Sequence, residues 1–339
     1  MKKYNVGVVG ASGAVGEELF KILEEQNFPI AKLIPIASAR SAGEEIEAFG
    51  QKHVIQELTP EIFAKENIEI AFFSAGGEVS AEFALHAAKA GAVVIDNTSY
   101  FRMDKDVPLV VPEVNPQDIA LWKKKGIIAN PNCSTIQMVQ VLSPLHQKYT
   151  IKRVDVSTYQ AVSGAGKKGM EELIMQMQKF FAFELEEAES KAFPHRIALN
   201  LIPQIDKFMP NDYTKEEMKM IDETNKILHS NIAISATCVR VPILRSHSES
   251  ITITFENEVD SNEAKKLLEG AKNIVVCDEP EKLLYPMPMI ATDTDETYVG
   301  RIRNDLFDKK ILHLFCVADQ IRVGAATNAV RIAQEWIKL

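Results

Sequence analysis

A short apolar segment followed by three spaced glycines lies near the start of the chain and restricts its fold most strongly. Residues 4–9 are typical of a strand buried in a parallel sheet, and an amphipathic stretch follows the glycines. In such a turn Gly10 permits the tight bend, Gly13 lets a pyrophosphate approach the backbone, and Gly16 lets the helix pack on the strand. The pattern GxxGxxG is a variant of GxGxxG, and its context favours dinucleotide binding over a purely structural turn.

Further apolar strands continue this rhythm along the chain. Residues 68–73 and 92–95 are predicted to be buried strands, with a helix over residues 79–90 between them. Repeated strand-helix-strand units predict a Rossmann-like, doubly wound parallel sheet, which places the fold in the α/β class. In such sheets ligands bind at the carboxyl edge of the strands, so we expect a cofactor there.

The residues after the second predicted strand, residues 31–37, indicate which dinucleotide is bound. NAD-binding proteins usually have an acidic residue there, which holds the ribose 2′-hydroxyl group. Here the strand is followed by Ser38, Arg40 and Ser41. A cation and two hydroxyl groups suit a 2′-phosphate, so the sequence favours NADP. The alternative is that Arg40 is a solvated surface residue.

Cys133 is the strongest candidate for chemistry. Residues 127–129 predict a short strand, and the apolar spacing from Ile136 to Leu145 predicts a helix, so Cys133 lies where the strand ends and the helix begins. The unpaired amides of a helix N-terminus favour a thiolate and can hold an oxyanion formed on a carbonyl group that the sulfur attacks. The alternative is a small buried core cysteine.

The second half of the chain has a different pattern of apolar and polar residues. Residues 154–162 alternate as in a strand with two distinct faces, and strands and helices are mixed, which predicts an α+β domain. We therefore expect an NADP-binding domain of residues 1–131 plus 324–339, and a catalytic and dimerisation domain of residues 132–323. The last helix is assigned to the first domain because chain ends often pack against the opposite domain.

Helices in the chain are predicted over residues 116–125, 168–189 and 215–229. The third of these has a clear start signal. Thr214 can cap it, and Glu217 occupies the third helical position of a capping box, where its side chain can reach back to the cap residue.

Charged residues give further candidates. Arg102 leaves the edge of the predicted parallel sheet and is suited to bind an anion, although the residues alone leave this role open. Glu216 and Lys219 share one helix face, where the alternative is an ordinary surface ion pair. Arg240 and His247 bracket a turn, and a lone histidine usually has a structural role.

Composition excludes several classes of protein. The 339 residues, 46% hydrophobic and 25% charged, are typical of a globular chain of two domains. The net charge of −9 argues against a nucleic-acid-binding surface. No apolar run approaches the roughly 20 residues that a membrane-spanning helix needs. The four cysteines form no CxxC pair, so we expect no metal site, no disulfide framework and a location in the reducing cytoplasm.

Taken in order, these segments resemble the aspartate-β-semialdehyde dehydrogenase family along nearly the whole chain. The matching segments are Gly10–Gly16, Asn130–Thr135, Tyr159–Gly164, Glu216–Lys219, Glu223–Lys226, and Val239–Val241 together with His247. Most of them are unspecific individually, but their combination in this order is highly specific.

The resemblance implies reduction of L-aspartyl phosphate to L-aspartate semialdehyde with NADPH and release of phosphate, in the branch toward lysine, threonine and methionine. It implies that Cys133 is the nucleophile, which forms an acyl-thioester, and that His247 is the acid/base. Gln160 would help to hold the acyl group, Arg240 the substrate carboxylate and Glu216 its amino group. A homo-oligomer, dimer or tetramer, is implied as well.

The resemblance also implies two sets of anion contacts. Arg102, Asn132 and Lys219 would bind the substrate phosphate. The implied NADP contacts are Gly10, Ser12, Gly13, Ala14, Val15, Arg40, Ser41, Ser163, Gly164, Gln320 and Asn328.

Three other functions remain as alternatives. An N-acetyl-γ-glutamyl-phosphate reductase would use the same fold and a cysteine acyl-enzyme, but Glu216 suits a free amino group better than an acetamido group. A phosphorylating glyceraldehyde-type dehydrogenase lacks a matching cysteine segment here. A non-catalytic NADP-sensing regulator would not need Cys133 and His247 together with three cations, which are Arg102, Lys219 and Arg240.

Overall fold

The computed structural model describes residues 2–339, which form two compact units. One unit comprises the chain up to Asn132 together with Gly324–Leu339, and the other is Cys133–Val323. Nowhere in residues 2–339 is a helix both long enough and apolar enough to cross a membrane.

A six-stranded parallel sheet forms the centre of the first unit. The strands of the unit are β1 (Tyr4–Val9), β2 (Ile30–Ala37), β3 (Glu45–Ala48), β4 (Gln51–Val54), β5 (Gln56–Glu57), β6 (Ile70–Phe73), β7 (Val93–Asp96) and β8 (Ile127–Ala129). Strands β3 and β4 form a separate antiparallel pair. The order β5-β2-β1-β6-β7-β8 is that of a Rossmann fold, and it reverses between β1 and β6. The predicted α/β class is therefore confirmed.

Three α-helices follow strands of the first unit. These helices are α1 (Ala14–Glu25), α2 (Ile62–Lys65) and α3 (Gly77–Lys89). Gly16 is required by close packing, because a Cβ atom there would lie 2.3 Å from the carbonyl oxygen of Gly10. The helix predicted over residues 116–125 is a 3₁₀ helix, Pro116–Lys124.

The second unit contains a mixed six-stranded sheet of order β10-β9-β11-β14-β13-β12. Its strands are β9 (Ile151–Gln160), β10 (Ala233–Arg240), β11 (His247–Phe255), β12 (Ile274–Val276), β13 (Thr297–Asn304) and β14 (Ile311–Ala318). Strand β9 is parallel to β10 and antiparallel to β11. The C-terminal ends of β9 and β10 and the N-terminal end of β11 therefore share one edge of the sheet.

The second unit also contains the helices α4 (Cys133–Tyr149), α5 (Lys167–Phe181), α6 (Lys215–Ile227), α7 (Ser261–Glu269) and α8 (Pro288–Ala291). Helix α4 packs on β9, β11 and β14. The predicted capping box of α6 is confirmed: Thr214 accepts a hydrogen bond from the Glu217 amide, and the Glu217 carboxylate accepts one from the Thr214 amide.

The helix predicted over residues 168–189 is too long, because α5 ends at Phe181. Phe183 has a left-handed backbone (φ 62°), which stops the helix. The chain then turns back, and the carboxylate of Glu172 accepts hydrogen bonds from the amides of Lys191 and Ala192 at 2.7 and 2.5 Å.

Helix α9 (Thr327–Trp336) follows a π-helical turn, Arg322–Ala326, and belongs to the first unit. Its aromatic residue Trp336 makes edge contacts with Trp122 and Tyr4, at centroid distances of 5.6 and 6.1 Å. Residues from both ends of the described chain thus share the core of the first unit.

Candidate active site

Cys133 is the first residue of α4. Its side chain is partly exposed, whereas Cys238, Cys277 and Cys316 are buried. Burial raises the pKa of each of these three thiols. A helix N-terminus carries a partial positive charge that favours a thiolate, so Cys133 is the one cysteine of the described chain that combines access with an electropositive setting.

Gln160, Arg240 and His247 meet at one edge of the sheet in the second unit. Gln160 ends β9, Arg240 ends β10 in register with it, and His247 begins β11. All three side chains are buried. Three residues separated by up to 87 positions in sequence are therefore brought together by strand pairing.

Arg240 is held rigidly in this group. Its Nη1 donates to the carbonyl oxygen of Ala161 at 2.7 Å, and its guanidinium group lies 5.8 Å from the ring centroid of Phe193. Burial lowers the pKa of Arg240, and the negative charges of Glu216 and Cys133 act against this effect. The guanidinium group therefore lies in the electrostatic field of both the candidate nucleophile and a candidate substrate-binding carboxylate.

The imidazole of His247 is fully buried, with its two nitrogens in different environments. The amide of Ala161 donates a hydrogen bond to Nδ1 at 3.1 Å, whereas Nε2 has no hydrogen-bond partner within residues 2–339. Burial and the charge of Arg240 lower the pKa of His247 well below its ordinary value. A neutral ring whose Nδ1 accepts a hydrogen bond has its proton on Nε2.

Gly164 lies close to Arg240 and His247. A Cβ atom at Gly164 would lie 2.7 Å from Nη1 of Arg240 and 3.3 Å from Nε2 of His247. The absence of a side chain at this position therefore lets the loop after β9 pass directly over both groups.

Glu216 and Lys219 form a charged cluster at the start of α6. The carboxylate of Glu216 accepts from Nε2 of Gln160 at 3.4 Å and from Nζ of Lys219 at 3.0 Å. Lys219 also donates to Asp206 at 3.1 Å. Burial alone lowers the pKa of Lys219, but the two carboxylates outweigh it and the pKa is raised. Asp206 lies 13 residues before Lys219, and no sequence signal marked it.

Ser163 and Gln320, expected at the cofactor, contact each other within the second unit. The Gln320 side chain donates to Oγ of Ser163 and accepts from the Ser246 amide. Both residues are buried.

The phosphate candidates of the first unit are also buried. Arg102 donates from Nε to the Asn130 carbonyl at 2.9 Å and from Nη2 to the Asn97 carbonyl at 2.8 Å. Asn132 is the last residue of this unit. Asn328, a cofactor candidate in the same unit, donates from its side-chain Nδ2 to the Val110 carbonyl at 3.0 Å and to Oδ1 of Asn130 at 2.6 Å. Asn97 and Asn130 thus support Arg102 and Asn328, and no sequence signal gave Asn97 that role.

The predicted dinucleotide segment lies at the carboxyl end of β1. Gly13 is the cap residue of α1, and the residues Gly10, Ser12, Ala14 and Val15 adjoin it. The Gly10 amide donates to the Ile36 carbonyl of β2 at 2.9 Å, so the turn lies beside the end of β2. Arg40 is exposed just beyond that end, and Ser41 is largely buried. A helix N-terminus next to an exposed cation can hold the phosphate groups of a dinucleotide.

Both units match known family models. Residues 5–122 match the model described as "Semialdehyde dehydrogenase, NAD binding domain", and residues 142–323 match "Semialdehyde dehydrogenase, dimerisation domain".

Whole proteins match over their full length as well. Aspartate-semialdehyde dehydrogenase from Campylobacter jejuni is 64% identical over 100% of this chain and 98% of the relative. The enzyme of the same name from Helicobacter pylori J99 is 58% identical over 100% and 99%.

Solved structures give the same relationship. Aspartate semialdehyde dehydrogenase II from Vibrio cholerae, complexed with ASA, has a TM-score of 0.96 and 44% identity, covering 100% of this chain and 99% of that one. Aspartate semialdehyde dehydrogenase with NADP from Candida albicans has a TM-score of 0.76 and 28% identity, covering 99% of each chain. This chain belongs to the aspartate-semialdehyde dehydrogenase family.

Proposed function

We propose that this protein reduces L-aspartyl-4-phosphate to L-aspartate-4-semialdehyde with NADPH, through an acyl-thioester on Cys133, in the biosynthesis of lysine, diaminopimelate, threonine and methionine. The observation that carries the proposal is the convergence of Gln160, Arg240 and His247 at one sheet edge, in the electrostatic range of Cys133. This group provides a nucleophile, a proton-handling ring and a cation for a carboxylate.

Cys133 attacks the acyl carbon, and phosphate leaves as the thioester forms. An acyl phosphate is already activated, so the attack needs no metal to polarise it. Arg240 holds the α-carboxylate, Glu216 the amino group, and Gln160 the acyl group. By family resemblance the phosphate contacts are Arg102, Asn132 and Lys219.

His247 handles protons at Nε2. Because Nδ1 accepts from the Ala161 amide, Nε2 of the neutral ring carries a hydrogen and donates to the acyl oxygen as negative charge builds on it. The acid/base role that the resemblance gives to His247 is thus exercised through the one ring nitrogen that the fold leaves available.

The segment from Gly10 to Val15, together with Arg40 and Ser41, would hold NADP. When bound, NADPH supplies the hydride that reduces the thioester. The exposed cation after β2 supports NADP over NAD, as does the relative from Candida albicans that was solved with NADP. By family resemblance Ser163, Gly164, Gln320 and Asn328 are proposed as further cofactor contacts.

A homodimer is part of this proposal. The second unit matches a model described as a dimerisation domain. It also exposes large apolar side chains that a protein interface would cover, among them Phe208, Leu306 and Phe307. Light scattering across a range of protein concentrations tests this assignment, and a monomer throughout would contradict it.

The decisive experiment is phosphate-dependent reduction of NADP in the presence of L-aspartate semialdehyde. We expect turnover that requires phosphate, and little turnover with N-acetyl-glutamate semialdehyde, whose acetamido group gives Glu216 no ammonium partner. Preference for the acetylated substrate would favour the reductase of that substrate instead. Binding of NADP without turnover of either aldehyde would favour a regulator.

A further inference from the structure

Glu249 is a fully buried carboxylic acid that the proposed chemistry does not use. It lies two residues after His247 on β11, so both side chains project from the same face of the sheet. Its partners in register are Thr158 of β9 and Cys316 of β14, which are also fully buried. Glutamate is rarely found fully buried unless it is paired, so its presence at this position requires an explanation.

Gln137 links this region to the helix of the nucleophile. It lies one turn after Cys133 on α4. Its Nε2 donates to the backbone carbonyl of His247 at 3.4 Å and approaches Sγ of Cys316 at 3.8 Å. Gln137 thus ties the start of β11 to the first turns of α4.

Gln137 and Glu249 interact electrostatically, and each keeps buried polar atoms that need a partner. Oε1 of Gln137 and both carboxyl oxygens of Glu249 are buried without a hydrogen-bond partner in the described part of the chain. Burial raises the pKa of Glu249 well above its ordinary value, and the Gln137 amide is the polar group that acts against this. A protonated carboxyl group has one O–H donor, which is what the isolated Oε1 acceptor lacks.

We propose that Glu249 is a positioning residue of the proposed reaction, whose neutral carboxyl group hydrogen-bonds Gln137 and so fixes His247 relative to Cys133. The inference rests on the proposed function. Cys133 begins α4, His247 begins β11, and Gln137 bridges the two elements. A hydrogen bond from Glu249 would hold Gln137 in the rotamer that makes this bridge. A misplacement of about 1 Å between reacting groups can cost about a hundredfold in rate.

Two substitutions separate this role from simple packing. Glu249→Leu keeps the side chain buried but removes its polar atoms, so we expect kcat to fall by about ten- to a hundredfold with little change in the KM for aspartate semialdehyde. Glu249→Gln keeps a neutral group that can donate to Oε1, and it should recover most of that loss. A kcat for Glu249→Leu equal to that of the wild type would overturn the proposal, as would equal losses in both variants.

Infrared spectroscopy tests the neutral carboxyl group without depending on activity or on the leucine variant folding. At neutral pH the difference between wild type and Glu249→Gln should contain the carbonyl stretch of a protonated acid. Glu172→Gln is the matched control, because Glu172 is also buried but its side-chain oxygen accepts hydrogen bonds from two backbone amides. Absence of the band in the Glu249 difference spectrum would overturn the proposal.

Gln137→Met completes the set. If Glu249 acts through Gln137, the double variant Gln137→Met/Glu249→Leu should lose no more kcat than the worse single variant, whereas additive losses would contradict this linkage. A wild-type protein that fails to turn over aspartate semialdehyde would refute the proposed function itself. The infrared result would still decide the state of Glu249 in that case.

Discussion

The backbone amide of Ala161 donates a hydrogen bond to Nδ1 of His247 over 3.1 Å. A backbone N–H can only donate, so this contact is incompatible with a hydrogen on Nδ1 and opposes the doubly protonated ring. Burial and the nearby Arg240 charge act in the same direction by lowering the pKa of His247. The fold thus selects one tautomer of one protonation state before any substrate binds.

The first prediction concerns that tautomer. Nitrogen-15 NMR of the imidazole should show His247 neutral with its hydrogen on Nε2 throughout the range of about pH 6–8. His146 is an internal reference, because its Nδ1 also accepts a backbone amide, from Ile151 at 3.0 Å. A ring with its hydrogen on Nδ1, or a charged ring at neutral pH, would contradict the assignment.

The lowered pKa of His247 also predicts a pH dependence of stability. Between the folded-state pKa and the ordinary value of 6.5, the unfolded chain binds more protons than the folded one. The free energy of unfolding should therefore fall as the pH decreases below about 6.5. Urea unfolding of wild type and His247→Gln across this range should show a shallower dependence in the variant, and identical slopes would exclude a contribution from His247.

The second prediction concerns the nucleophile. Cys133→Ser should lose dehydrogenase activity by several orders of magnitude while keeping its fold and NADP affinity, because a serine alkoxide is hard to form without a dedicated base. Iodoacetamide should label Cys133 faster than Cys238, Cys277 or Cys316, whose buried thiols have raised pKa values. An active but destabilised serine variant would instead support a core role.

The third prediction concerns the choice of cofactor. Arg40 is exposed beyond β2. Arg40→Ala should raise the KM for NADP by roughly ten- to a hundredfold, the cost of losing a charge-assisted contact to phosphate, and leave use of NAD nearly unchanged. Equal losses with both cofactors would mean that Arg40 does not read the 2′-phosphate.

The fourth prediction separates two arginines. Arg240→Lys loses the guanidinium fork, which donates to the Ala161 carbonyl and is proposed to hold the substrate carboxylate, so it should weaken binding of aspartate semialdehyde and lower kcat. Arg102→Lys should act mainly on the KM for phosphate. In the proposed mechanism the thioester forms before phosphate attacks, so a single-turnover burst of hydride transfer should survive in the Arg102 variant and shrink in the Arg240 variant. If the burst instead survives in the Arg240 variant and shrinks in the Arg102 variant, Arg102 holds the carboxylate and Arg240 the phosphate.

The fifth prediction concerns Gly164. A methyl group there would meet Nη1 of Arg240 at 2.7 Å, so Gly164→Ala should displace that group and lower kcat/KM for aspartate semialdehyde by about ten- to a hundredfold. Gly270→Ala is the matched control, since it has φ −83° and no atom nearer than 3.6 Å to the added carbon. If Gly164→Ala behaves like Gly270→Ala, the loop does not constrain the arginine.

The fold class could be predicted from local sequence patterns. Buried parallel strands appear in the sequence as apolar runs, and the turn at Gly10 depends only on residues close to it in the chain. The capping box at Thr214 is similarly local and was predicted correctly. The end of α5 was not, because the left-handed Phe183 is a residue type that carries no stop signal. The chain turns back after Phe183, and Glu172 accepts hydrogen bonds from two amides that lie 19 and 20 residues later.

The residues that hold the candidate site residues in place could not be predicted from sequence patterns, for a related reason. The contact from Ala161 to His247 uses a backbone amide, which every residue except proline has. Asp206 reaches Lys219 only after the chain between them folds back. Glu249 occupies an ordinary polar position in an alternating strand, and its burial follows from helix and strand packing that the strand's own sequence does not indicate.

The assignment of α9 to the first unit has a consequence for synthesis on the ribosome. The second unit is one uninterrupted stretch of chain, so it can complete its core as soon as Val323 has emerged. The first unit needs Trp336 beside Tyr4 and Trp122, residues translated some 200 to 330 codons earlier. The core residues of the first unit that contact α9 therefore stay uncovered while the second unit is made, so the nascent first unit is the one expected to bind holding chaperones. Arrested nascent chains that end before residue 324 should be more sensitive to protease in residues 2–132 than in the completed second unit.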